Sequence, residues 1–171
     1  MQLENTREAL NKFGQFVIQQ ARSRLSKGKK NSSRKLYNSL EYLPFRDGNS
    51  IGVKFFMEKY GKFQDKGVKG TKSNYIENKN SPYSYKASMP PPKAFKDFIK
   101  RKKIKGRDKK TGRFITNKTL QFLIARSIFQ KGIKASMFFT KPFNQAYEKL
   151  PTELQENFVK DIEKIIFDTN G

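Results

Sequence analysis

Leu3, Leu10, Phe13, Val17, Ala21 and Leu25 recur every three or four positions across residues 3–26, the spacing of one apolar stripe on a helix. The stripe stops at "SKGKKNSSRK" (26–35), where Gly28, the serines and a basic run predict a mobile connection. From Leu36 the period changes. "LYNSLEYLPF" (36–45) and "IGVKFFMEKYGKFQDKG" (51–67) are rich in Leu, Tyr and Phe and alternate loosely. "RDGNS" between them supplies turn chemistry at Asp47-Gly48. Together they predict an antiparallel hairpin over about 35–66, with its aromatics buried. Residues 69–92, "KGTKSNYIENKNSPYSYKASMPPP", show no period and carry Pro82 and Pro90 to Pro92; a loop of this length is functional or disordered. Pro91-Pro92 can open a short helix holding Ala94, Phe95, Phe98 and Ile99. Asn117 is read as the cap of a helix with Leu120, Leu123, Ile124 and Ile128 on one face, ended by Gly132. A short extended piece follows, then a helical turn after Thr140 and Pro142. Pro151-Thr152 starts a last helix with Leu154, Phe158, Ile162, Ile165 and Ile166 inward.

The order α–β–β–loop–α–α–α predicts an α+β fold, a small antiparallel sheet packed with an N-terminal helix and C-terminal helices. The reading has one domain, 1–171, with a flexible basic and Pro-rich insertion at about 69–116 and an acidic C-terminal helix at about 152–168. A chain of 171 residues buries about two-thirds of the surface its unfolded form exposes. Its hydrophobic content of 35% is low, but 16 Phe and 7 Tyr concentrate it in large side chains, so a core needs few positions.

Charge changes the picture more than hydropathy does. With 37 Lys+Arg against 15 Asp+Glu the net charge is +22, which attracts nucleic acid, acidic protein or anionic lipid. Lys outnumbers Arg, favouring diffuse phosphate attraction over bidentate reading of bases. No carboxylate occurs from Lys109 to Tyr147, whereas Glu148 to Asp168 holds six acids against three lysines. A basic body and an acidic end suit head-to-tail contacts between copies as well as they suit a solvated helix face. There is no Cys and therefore no disulfide framework, which fits a reducing cytoplasm. The polar, amphipathic start is not a signal peptide, and no apolar run reaches membrane-spanning length, so no membrane is expected. Asn31-Ser-Ser and Asn117-Lys-Thr match the glycosylation pattern without a secretion signal to give it meaning.

Candidate chemistry is sparse. With neither His nor Cys, the commonest general base and the thiolate zinc ligand are missing. Carboxylates can serve two-metal nucleases, but Glu41, Asp47, Glu58, Asp65, Glu77, Asp97 and Asp108 are scattered. The Gly67 and Gly70 pair in "YGKFQDKGVKGTK" is too closely spaced for a P-loop, and Thr71 precedes Lys72 instead of following it. The chain is expected to be no enzyme and to need no cofactor or metal. The densest basic tract holds Lys100, Arg101, Lys102, Lys103, Lys105, Arg107, Lys109, Lys110 and Arg113, opposed only by Asp108, with Gly106 and Gly112 lending flexibility. It is expected to contact DNA phosphates or an acidic partner, gaining affinity from released counterions if the partner is DNA. Tyr83 and Tyr85, in a Pro-bounded polar loop, are expected as stacking or partner-contact residues.

A long helix, a Lys/Ser loop, the hairpin and then Tyr60-Gly61-Lys62-Phe63-Gln64-Asp65-Lys66-Gly67 resemble the head–tail joining (neck, or tail-completion) proteins of tailed bacteriophages. In that family strands lead into a Tyr-Ala-x-Tyr-x-Glu-x-Gly-Thr-like segment. Tyr60 and Phe63 match the aromatics, Asp65 the acid and Gly67 the glycine; Gly61 replaces Ala and Val68 replaces Thr. "FFTKPFNQAYEKL" resembles the family's later Phe-x-x-Pro-Phe/Ala segment, with Pro142 and Phe143 in the matching places. The resemblance covers roughly Leu3 to Leu150, with a longer and more charged 69–116 and an added helix at 152–168. It implies a virion structural protein made in the host bacterial cytoplasm, a homo-oligomeric ring of six or twelve copies between portal or adaptor and tail, lining the DNA path. The alternative from composition alone is a non-enzymatic, sequence-independent DNA-binding accessory protein.

Overall fold

The computed structural model describes residues 3–28, 33–48, 50–72 and 75–169, with side chains described to Ile166. The Lys/Ser-rich connection at 29–32 and its Asn31-Ser-Ser site lie outside the described residues, as does Asn49 of the hairpin turn. The fold is α+β, with a small antiparallel sheet, a long N-terminal helix and C-terminal helices. Where the sequence reads as one domain, the contacts gather into two compact units: residues 1–59 with 138–171, and residues 60–137.

The first unit is built on α1 (Glu4–Lys27), whose buried side is the stripe read from the sequence, widened by Thr6, Ala9, Gly14 and Ile18. The short α2 (Lys35–Asn38) leads into β1 (Glu41–Asp47), which pairs with β2 (Ser50–Phe56) from Glu41↔Phe56 to Asp47↔Ser50. Gly48 turns the chain at φ +55°, so Asp47-Gly48 acts as its chemistry indicates. Gly14 has no side chain because the Tyr42 ring from β1 lies where a Cβ would stand. Arg22 fastens the crossing by donating to the carbonyls of Tyr37 (3.2 Å) and Leu40 (2.8 Å). The remaining elements of this unit are α6 (Thr140–Tyr147) and α7 (Leu150–Thr169).

Two apolar clusters fill the unit. Ile18, Ala21, Leu25, Leu36, Leu40 and Phe138 form one, and Leu10, Phe13, Val17 and Leu150 the other. Aromatic rings join them: Phe55 meets Phe13, Phe139 and Phe143 edge-on with centroids 5.3–5.9 Å apart. The motif-matching Pro142 is buried and Phe143 lies half-buried in this lattice, so both act in the core.

The first turn of α1 has no cap of its own; Leu3 precedes it. Asp161 of α7 supplies one from 155 residues away. One carboxylate oxygen accepts from the Asn5 N–H and Nδ2, the other from the Thr6 N–H and Oγ1, at 2.7–2.9 Å. The four donors include two of the amides a helix start leaves unpaired. Burial pushes the Asp161 carboxyl up, but the hydrogen bonds from Thr6 and Asn5 outweigh it and hold the group below its ordinary value.

The sequence places Phe158 and Ile166 inward on α7, and the structure corrects this. They are exposed, and the inner face runs Leu150, Leu154, Asn157, Asp161, Ile165. Ile162 is half-buried as expected, like Leu154 and Ile165, and the most buried residue of the inner face is an aspartate.

The second unit comprises α3 (Gly61–Lys66), β3 (Val68–Lys69), 3₁₀ turns at Ile76–Asn78 and Pro92–Phe95, α4 (Lys96–Lys102), α5 (Asn117–Lys131) and β4 (Gly132–Ile133). The hairpin is consequently shorter than the expected 35–66. Its last ten residues leave the sheet, and 61–66 coil into a helix. Thr116, not Asn117, caps α5, its hydroxyl accepting from the Thr119 N–H.

Candidate partner-contact surfaces

The motif-like stretch 60–69 is held by a buried asparagine that sequence reading passed over. Asn78 is fully buried; its Nδ2 donates to the carbonyls of Val68 (2.9 Å) and Ile133 (2.8 Å), and its Oδ1 accepts from the Ala135 N–H (2.8 Å). One side chain thus pins β3, β4 and the segment after β4, which pair as Val68↔Ile133 and Lys69↔Gly132. Ser136 adds its hydroxyl to the Gln64 carbonyl, and the Asp65 carbonyl accepts from the N–H groups of Ser136 and Met137. The sole hint in sequence is an Asn in "YIENKN", which reads as ordinary loop.

Within this knot the motif residues take different roles. Gly67 sits at φ +74°, and a Cβ there would meet Asn78 Oδ1 and the backbone of Ile133 and Ala135, so glycine is required. Gly61 and Asp65 are buried on α3. Phe63 is half-buried, its ring edge-on to Tyr83 at 4.7 Å. Tyr60 departs from the expected buried strand end: it precedes α3 and its side chain is 43% exposed.

Tyr83 and Tyr85, expected as stacking or partner-contact residues, flank a backbone bridge. They do not stand free in a polar loop; residue 84 bridges β3, with the Tyr83 carbonyl accepting from the Lys69 N–H and the Tyr85 N–H donating to the Lys69 carbonyl. Both rings are half-buried, and Tyr85 lies against Phe129 at 5.9 Å. With Tyr60, Phe63 and Ile133 they line a groove of about 520 Å³.

All nine cations of the basic tract are exposed. Lys100, Arg101 and Lys102 form the last turn of α4, and Lys103 ends it at φ +50°. From 104 to 115 the chain makes a tight basic hairpin. Arg107 bridges Phe114, the Asp108 N–H donates to the Arg113 carbonyl, and the Ile115 N–H to the Gly106 carbonyl. Asp108 shapes the turn: one carboxylate oxygen accepts from the Lys110 N–H, the Thr111 N–H and the Thr111 hydroxyl. Those bonds, first the Thr111 N–H, hold its carboxyl below the ordinary range. The Arg107 guanidinium lies over the Phe114 ring at 4.3 Å, and Phe114 is 61% exposed.

The second unit carries 21 Lys+Arg against 4 Asp+Glu, a net +17 of the chain's +22. Among the described residues no cluster of acids could hold a metal ion, and no helix is long and apolar enough to cross a membrane. Of the scattered acids, Asp65 is buried on α3 and Asp97 exposed on α4. No protein family, curated protein or solved structure matches the chain.

Proposed function

We propose that this chain is a structural protein of the neck of a tailed bacteriophage virion, assembling as a ring between portal or adaptor and tail beside the DNA path. The observation that carries the reading is the interlock of 60–69 with 132–137 through β3, β4 and Asn78. It makes the motif-like stretch and the segment leading to the second motif one built feature, with a glycine that the packing demands.

The net +17 of residues 60–137 supports the DNA-path part of the reading. A duplex presents one phosphate charge per about 1.7 Å, and exposed lysines attract it without reading its sequence. Such a role asks for no chemistry, and the protein is proposed to cleave nothing.

The test is imaging of the purified protein in moderate salt, with and without DNA, alongside a reconstruction of the parent virion. Rings or stacked discs, and density for this fold in the neck, are expected. A monomer with strong, salt-sensitive DNA binding and no density in the particle would overturn the proposal in favour of an accessory DNA-binding protein.

A further inference from the structure

We infer that the basic hairpin 104–115 of one copy docks on the outer face of α7 of a second copy, giving the head-to-tail contact of the ring. The inference rests on the ring reading above and supplies its joint.

The α7 half is a stripe. Glu156, Val159, Glu163 and Ile166 follow one another at steps of three, four and three, so they share one side of the helix, opposite the face that carries Leu150 and Asp161. All four are exposed, with Val159 at 49% and Ile166 at 53%. The two carboxylates stand about 10 Å apart along the axis, with an apolar side chain between them.

The hairpin half is its complement. Phe114 is the exposed apolar group, framed by Arg107 stacked on its face, by Arg113 beside it in sequence and by Lys109 and Lys110 at the turn. Asp108 is exposed as well, but one of its oxygens is taken up by its own turn, and a single carboxylate leaves this face strongly positive. An aromatic ring framed by cations meets an apolar stripe framed by acids.

A second copy fits these observations better than DNA does. Phosphates would answer the cations but leave Phe114 unused, and would repel α7. Exposed ion pairs contribute little each, so the charges set register and partner choice while the apolar groups anchor. Because one chain carries both halves, the contact is heterologous, the kind of interface from which closed rings are built.

Charge reversal tests this. One variant carries Lys109→Glu, Lys110→Glu and Arg113→Glu, another Glu156→Lys and Glu163→Lys, and a third carries all five. Sedimentation velocity of nuclease-treated protein, at low and high salt, is paired with complementation of particle assembly. Each partial reversal should weaken association on the order of a hundredfold, since like charges then face each other. The complete reversal, and an equimolar mixture of the two partial ones, should recover it. The assembly assay gives the same reading should the parent remain monomeric in solution. Partial reversals that still form parental rings or particles would overturn the docking and leave the neck reading standing. A complete reversal that stays dissociated would also overturn it. A parent that never enters particles would sink the neck reading itself.

Discussion

Asp161→Asn is the sharpest test of how the first unit is held together. The replacement keeps the shape and removes the charge. One oxygen still serves two of the four donors; the other becomes an amide that faces a backbone N–H with a donor of its own. A buried donor left unmatched costs about 1–3 kcal/mol, and losing a negative charge at a helix start adds about 0.3–1. The expected loss is about 1.3–4 kcal/mol, a large share of the roughly 5–15 typical of a domain. Urea denaturation followed by circular dichroism measures it, and hydrogen exchange at the first turn of α1 localises it. The sign of the pH dependence follows from the depressed carboxyl. Its stabilisation is present above the unfolded value of 3.8 and is lost as pH falls through the lower folded value. The parent should therefore exceed the variant by a constant margin from pH 7 to about 4, and the margin should shrink below that. A margin under about 0.5 kcal/mol, or one unchanged in strong acid, refutes the reasoning. So does strict additivity with Thr6→Ala, since groups that share a bond must couple.

Asn78→Ala leaves two carbonyls and one N–H buried without their partner, and should cost about 3 kcal/mol or more in the same denaturation assay; a loss under 1 would show that other groups satisfy them. Phe138→Ala, at a fully buried ring, should cost about 3–5 kcal/mol. Tyr60→Ala should cost less than half of that by calorimetry, and equal losses would contradict the exposure difference. Replacing Lys102, Lys103, Lys105, Arg107, Lys109 and Lys110 with Gln should leave melting nearly unchanged. If DNA is bound, the slope of log affinity against log salt should become shallower by about 0.9 per lost phosphate contact, and a parental slope would remove the tract from the DNA surface.

Elements with a strong period were legible from sequence. The α1 stripe, the turn at Asp47-Gly48 and the stop of α5 at Gly132 follow from local chemistry and appear where expected. What escaped depends on contacts distant in sequence. Residues 60–66 look like strand because Tyr60 and Phe63 are aromatic, yet they turn helical where 132–137 packs beside them. Helical spacing of the apolar residues put Phe158 and Ile166 inward; Asp161 has no apolar character to mark it as a core residue, and only the unpaired amides of α1 make it a good one. Asn78 carries no local signal, since its three partners belong to segments 10 and about 57 residues away. The exposure of the nine cations follows from their charge, whereas the framing of Phe114 by the 104–115 hairpin depends on a backbone pairing that composition does not encode.

The bond between Asp161 and the start of α1 also has a consequence in time. On a ribosome adding 5–20 residues per second, α1 emerges about 10–30 s before the carboxylate that caps it. Residues 60–137 are contiguous and can close during that interval. The first unit cannot, because half of its aromatic lattice and the cap on its longest helix are still to be translated. Nascent α1 therefore waits with the Leu10, Phe13 and Val17 part of its stripe largely uncovered. That interval is when this chain is most exposed to chaperones and to aggregation, and a stall in translation before residue 161 would lengthen it.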